Sequence, residues 1–371
     1  MRSIHDGRGV RLVFVAALAA FAVGCGADGG AELGKTQEAL SWGSWGLIPN
    51  VPPPGSGPLA EVYGVSLVTK KHFRFSAFVT PYDNVLWQNT NGGLGFAGWT
   101  TLTGGTSTTS MSSKVTGTSW LGSGGVDASK NLLLAYLHYN PSTFNMDVKF
   151  GWSAESEGMG TVYTWTSLAG TGATGQPALA YANGWVYLFI QKSSDNKIYF
   201  KKNNVASGYN TANWSAGWTG PVGSSTMAGG VSAAASGSDT ITVAAAPFDG
   251  GPSCLVNAVT ASTGAVSATG AWRTVTNCSH SAYSTPGLAA TGSNGTGAAR
   301  MVVWKSGSPD SLATATGSGT SSTWSSFTSL PSGCVPVTNP AVVQWKSSGE
   351  IVFATTCSGS SGQGSWITMT P

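Results

Sequence analysis

The chain has 371 residues, of which 41% are hydrophobic and 9% charged, with 18 Lys and Arg against 15 Asp and Glu for a net charge of +3. Residues 1–24 hold three Arg and one Asp, so without them the balance is +1. A near-neutral chain with no basic cluster argues against nucleic acid and anionic lipid as surface partners; its polar character comes from Ser, Thr, Asn and Gly.

The first 25 residues read as an address rather than as structure. Arg2, Arg8 and Arg11 precede an apolar run from Leu12 to Val23, too short to span a bilayer as a helix and flanked as in a secretory signal. The step "AVGC" into Cys25 resembles the lipobox of bacterial lipoproteins, which implies a lipid on Cys25; Ala22 stands where Leu is commonest, so ordinary cleavage stays open. Gly26 after the Cys implies the outer membrane. Residues 26–40 lack large apolar side chains and read as a tether. The expected destination is the outer membrane, cell surface or exterior of a Gram-negative bacterium, with the membrane touched only through that lipid.

From residue 41 onward a tryptophan recurs. Trp45, Trp99, Trp165, Trp218, Trp272 and Trp324 are separated by 54, 66, 53, 54 and 52 residues, and the long step is assigned to an insertion over 140–160. Each period opens with a short Ala/Gly/Ser-rich strand, "PALAYA" (177–182), "GVSAAAS" (230–236), "PGLAAT" (286–291) and "NPAVVQW" (339–345). A more apolar strand follows, as in "WVYLFIQ" (185–191), then a polar turn, a third strand and a fourth near the Trp. Helical periodicity is absent. Four strands per period, repeated six times, predict an all-β, six-bladed β-propeller over 41–371, with seven blades as the alternative count. Blades crowd at the axis, so the small-residue strands belong innermost. The last period has room for three strands, and "ALSWGSWGLIP" near residue 41 supplies the fourth, closing the last blade.

The third period, "WTSLAGTGATGQPALAYANGWVYLFIQKSSDNKIYFKKN" (165–203), resembles the repeat of bacterial PLL-type propeller lectins, which bind fucose and related sugars. It carries the W-x-S-L-x-G opening, the inner-strand Pro-Ala, the Leu-Phe of the second strand and the D-N-x-[LI]-aromatic of the third. The resemblance thins after the third period, and the family's Arg-Leu-Asp and His-Lys elements are missing here. It implies sugar pockets between adjacent blades.

The turn "SSDNKIYF" matches "PYDNVLWQ" 112 residues earlier, two periods apart. Asp83, Asn84 and Trp87, and likewise Asp195, Asn196 and Tyr199, are therefore the candidates for polar anchor and stacking face of a site for neutral glycans, fucosylated ones among them. Neutral sugars need aromatic platforms and short polar groups, and 15 Trp supply the former. The rival function is a glycan-processing hydrolase or lyase, whose paired carboxylates would be Glu155 and Glu157 beside Trp152; a third is an envelope scaffold for protein partners. No GxSxG, phosphate-loop, EF-hand or Asp-box pattern occurs, and no cofactor or metal is expected. His72, His138 and His280 stand alone in sequence and read as packed or solvated side chains. In an exported chain Cys254, Cys278, Cys334 and Cys357 read as two disulfides. Three pairings are open, and the spacings of 24 and 23 favour Cys254–Cys278 and Cys334–Cys357.

Overall fold

In the computed structural model the strands run as successive antiparallel meanders. The structure describes residues 41–48, 66–70, 74–79, 87–91, 96–101, 116–118, 131–140, 142, 144–154, 164–168, 172–281, 284–291, 297–344, 351–358 and 364–370. They lie in a compact unit spanning Ala39–Pro371. The first sheet holds β3 (Ser66–Lys70), β4 (Arg74–Val79), β5 (Trp87–Asn91) and β6 (Phe96–Thr101). The second holds β7 (Thr116–Thr118), β8 (Asn131–Asn140), β9 (Asn145–Ala154) and β10 (Thr164–Leu168). The third holds β11 (Ala173–Ala182), β12 (Trp185–Lys192) and β13 (Ile198–Asn204), and the fourth β14 (Met227–Ala235), β15 (Thr240–Pro247), β16 (Leu255–Thr260) and β17 (Arg273–Thr274). The fifth holds β18 (Gly287–Ala290), β19 (Ala299–Lys305), β20 (Ser311–Gly317) and β21 (Thr328–Ser329). The last holds β22 (Ala341–Gln344), β23 (Ile351–Thr356) and β24 (Gly364–Thr370), joined by β1 (Ser41–Trp42) and β2 (Gly46–Leu47). The only helical pieces among the described residues are two single 3-10 turns, Val205–Ser207 and Thr211–Asn213.

The small-residue strands occupy the crowded positions. β11, β14, β18 and β22 adjoin in that order, β22 adjoins β3, β3 adjoins β7 and β7 adjoins β11. The third and fourth sheets approach so closely that Gln176 pairs with Gly230 in a parallel bridge. Gly230 has φ +126°, and a Cβ there would lie 2.5 Å from the Gln176 nitrogen, so no other residue fits. The second strands, covered on both faces, are apolar on both alternations. Val186, Leu188 and Ile190 of β12 pack toward the second sheet, with Leu137, Val148 and Phe150. Tyr187 and Phe189 pack the other way, with Ile241, Val243 and Val259 of the fourth sheet. The repeat tryptophans fill the gaps between outer strands: Trp272 lies with Phe200 between the third and fourth sheets, and Trp324 with Val256 between the fourth and fifth.

Two expectations are corrected. Of the expected insertion, residues 155–160 lie outside the described residues, and 145–154 form β9, a regular third strand paired along its whole length with β8. Its alternation (Val148 and Phe150 buried, Lys149 half-buried) is that of a sheet strand, masked in sequence by Gly151 and Trp152. In the third sheet the fourth strand reduces to two isolated bridges, Phe200–Thr219 and Asn203–Trp214. The intervening Ser-Ala-Gly segment lacks the β-branched residues that favour a continuous ladder.

Near residue 41 the chain pairs where the count of strands asked for a partner. Ser41 opposes Thr370 and Trp42 opposes Met369, and the Gly43 amide donates to the Thr368 carbonyl at 3.0 Å. The disulfides are Cys254–Cys278 and Cys334–Cys357, with Cα separations of 5.7 and 5.1 Å. Each pins a crossover between sheets to a turn between second and third strands. These turns and the crossovers emerge at one end of the sheets, here termed the upper end. The turns between first and second and between third and fourth strands form the lower end. No helix among the described residues is long and apolar enough to cross a membrane.

Candidate functional site

Of the residues singled out in the sequence, Cys25, Asp83, Asn84, Glu155, Glu157 and His72 lie outside the described residues. Trp87 opens β5, its backbone opposite Val79 and Thr101. Asp195, Asn196 and Tyr199 are brought together at the upper end, the first two in the turn of four residues (193–196) enclosed by Lys192 and Lys197 and Tyr199 as the second residue of β13. The Lys192 amide donates to the Lys197 carbonyl at 3.0 Å, closing the turn, and Asn196 ends it in the left-handed region with φ +54°. Asn tolerates that conformation because its short side chain bonds locally. Gln191 supplies such a bond, donating to Asn196 Oδ1 at 3.4 Å and to the Met227 carbonyl at 2.6 Å, which ties the turn to the next sheet.

The Asp195 carboxylate works in two directions. Oδ1 accepts the Lys197 amide at 3.1 Å, and Oδ2 accepts the Tyr199 hydroxyl at 2.8 Å. The hydrogen bond to Asp195 holds the Tyr199 phenol above the usual tyrosine range, helped by partial burial and by the carboxylate charge. Lys192 sets its ammonium 4.1 Å from the centre of the Tyr199 ring. The ring is thus a cation-covered support rather than an open platform. The turn thus carries a carboxylate fixed by two hydrogen bonds, with an ammonium over the ring that holds it, charged groups able to bond sugar hydroxyls.

The polar groups at the lower end of the same junction are bound to one another. Asn183 donates to Asp239 Oδ1 at 3.0 Å, the Ser262 amide donates to Oδ1 at 2.7 Å, and the Ser262 hydroxyl donates to Oδ2 at 2.6 Å. Those bonds, Ser262 before Asn183, lower the Asp239 pKa. The Lys202 ammonium sits 4.5 Å over the Trp185 ring and donates to the Thr263 carbonyl at 3.2 Å. The buried Tyr187 hydroxyl donates to the Ala261 carbonyl at 2.7 Å. This cluster staples the third sheet to the fourth.

Between the second and third sheets lies an aromatic cluster. Phe150 meets Trp214 edge-on at 4.9 Å and Trp152 at 6.2 Å, and Tyr209 lies 6.1 Å from Trp152. Lys201, mostly buried beside it, donates to the Ser215 and Ala216 carbonyls at 2.6 and 3.1 Å, and burial lowers its pKa. His280 is a packed side chain, 2% exposed, its ring nitrogens 2.6 and 2.7 Å from the Ser281 and Ser253 carbonyls. Among the described residues no group of three His, Cys, Asp or Glu could hold a metal ion. Sequence reasoning passed over Lys192, Lys201 and Asp239. Asp239 was detectable, lying 56 residues after Asn183, one period on, at the same turn. Arg300, 4% exposed within the apolar strand β19, was detectable as a charge inside a hydrophobic run.

No protein-family profile and no curated protein matches the chain by sequence. Solved structures do. A protein of unknown function from Dyadobacter fermentans aligns over 90% of this chain and 99% of its own, with TM-score 0.61 and 10% identity. An α-L-arabinanase of Penicillium chrysogenum, solved with arabinobiose, aligns over 89% and 98% at TM-score 0.57 and 12% identity. The fucose-recognising lectin of Aleuria aurantia, a six-bladed β-propeller, aligns over 80% and 89% at TM-score 0.51 and 14% identity. This chain has the β-propeller fold. Identities this low carry the architecture and leave function to the residues themselves.

Proposed function

We propose that the chain is an exported, six-bladed propeller lectin that binds neutral glycans without catalysis, its last blade closed by β1. Residues 1–25 act as the signal, with Cys25 the lipidated residue of an outer-membrane or surface protein, 26–40 as the tether and 41–371 as the propeller. The observation that carries the function is the Asp195 turn. A carboxylate is held rigidly by Tyr199 and Lys197, with the Lys192 ammonium over the Tyr199 ring, among Ser193, Ser194 and Asn196 at the upper end. The turn carries charge of both signs, Asp195 with Lys192 and Lys197, set among short polar side chains that suit hydroxyls. Asp195, Asn196 and Lys192 touch the sugar, and Tyr199 positions the carboxylate. Asp83, Asn84 and Trp87 form the matching site one repeat pair earlier, with the Trp87 ring as stacking face. Fucosylated glycans are the first class to try, since the Aleuria lectin shares the architecture. Screening on a glycan array, then titration calorimetry with the best neutral ligand, tests the reading. Binding should persist in EDTA and weaken strongly in Asp195→Asn. Absence of binding to any neutral glycan would refute it.

A second reading rests on Trp152. It lies in the aromatic cluster two residues from the end of β9, so Glu155 and Glu157 follow directly beyond it. Release of reducing ends from arabinan or another neutral polysaccharide, lost in Glu157→Gln, would favour a hydrolase over a lectin.

A further inference from the structure

The large hydrophobic side chains exposed among the described residues are Leu47, Phe144, Phe248 and Val337. The strand order puts all four at one end. Phe144 lies in the β8–β9 turn and Phe248 in the β15–β16 turn, both connections between second and third strands. Val337 lies in the crossover from β21 to β22, and Leu47 pairs with Ser365 where β24 begins. This is the upper end, which also carries both disulfides and the Asp195 turn.

Phe144 is the informative residue. It is 78% exposed and held at φ +56°, a conformation that a bulky side chain rarely adopts. Asn196 occupies the same place in the next sheet, as the last residue of a four-residue turn, at φ +54°. An Asn suits that backbone and a Phe does not, so local folding does not account for the aromatic. Exposure rules out packing as its reason, and strain kept at a surface turn points to a contact with something else. Phe248, 53% exposed, stands at the corresponding turn of the fourth sheet. The two rings thus flank the Asp195 turn of the third sheet from either side.

We propose that these three consecutive turns form one extended subsite for a neutral polysaccharide chain, with Phe144 and Phe248 stacking on pyranose or furanose faces on either side of a residue held at Asp195. The inference rests on the carbohydrate reading above. The surroundings select this occupant. Lys192, Lys197 and Lys305 at this end are matched by Asp195, Asp249 and Asp310. Asp249 accepts the Gly251 amide at 3.0 Å, and Asp310 accepts the Gly307 amide at 2.8 Å and the Trp304 ring nitrogen at 3.0 Å. Among the described residues these exposed and half-exposed charges balance, and a balanced end does not draw an anionic lipid surface. Single aromatic rings set among Ser, Thr, Asn and Gly suit the flat C–H faces and hydroxyls of a sugar chain better than the continuous apolar surface of a protein partner.

The test uses the full chain and three proteins: wild type, Asp195→Asn, and the double variant Phe144→Asn, Phe248→Ser. The probes are soluble xyloglucan, arabinan and galactomannan in affinity electrophoresis and calorimetry, beside methyl α-L-fucoside. The double variant should bind polysaccharide about tenfold more weakly, the loss of two stacking contacts, with monosaccharide affinity unchanged. Its melting temperature should not fall, because Asn relieves the backbone at 144. Polysaccharide affinity unchanged in the double variant but lost in Asp195→Asn overturns this inference and leaves the lectin reading standing. No sugar binding by the wild type overturns both. Co-sedimentation with phosphatidylcholine vesicles, or a dimer that the double variant dissolves, assigns the rings to another partner and overturns the inference.

Discussion

At the residue scale, Asp195 was legible in the sequence as a turn former, and its recurrence at Asp83 marked the period. Its chemistry was not legible. The contact of Lys192 with the Tyr199 ring exists only because the hairpin folds residues seven apart onto one side, which spacing alone does not disclose. A Tyr199→Phe variant keeps the ring and removes the donor to Asp195, so glycan affinity should fall while the fold is retained, as seen by calorimetry and near-ultraviolet circular dichroism. Asp239 supports a pH prediction. Hydrogen bonds from Ser262 and Asn183 lower its folded pKa, so its stabilising contribution is present above the ordinary carboxylate range and is lost as pH falls through the folded value. Between pH 7 and pH 3 the wild type should therefore lose more melting temperature than Asp239→Asn, which lacks that term at every pH.

At the element scale, the tryptophan period and the Ala/Gly runs foretold the inner strands, because small side chains are demanded wherever strands crowd. β9 escaped notice because Gly151 and Trp152 interrupt its alternation. Gly151 is there to make room: a Cβ would lie 2.6 Å from the Trp165 ring. Phe200, 1% exposed and touching Tyr187 and Phe189 at 5.3 and 5.8 Å, joins the third and fourth sheets. Its replacement by Ala should cost about 3–5 kcal/mol in urea unfolding. Removing the Cys254–Cys278 bridge by a double Ala substitution should cost about 2–5 kcal/mol, and reducing agent, which opens both bridges, should cost the wild type at least as much.

At the scale of the whole molecule, near-neutrality sets the expected behaviour in solution. Glycan affinity should change little between low and high salt, since no long-range attraction is there to be screened, and multivalent glycans should bind more tightly than their single sugars. A strong salt dependence in calorimetry would contradict this. The pairing of the segment near residue 41 with β24 was legible because the last period lacks one strand; the direction in which exposed rings point was not, since it depends on which end each turn emerges from. The pairing of β1 with β24 also bears on timing. During synthesis β1 is made far ahead of its partner β24, so the growing chain carries an unmatched strand edge until β24 has been made. Contacts spanning so much of the sequence form slowly, and the arrival of β24, rather than emergence of any earlier sheet, becomes the moment at which the last sheet can be completed.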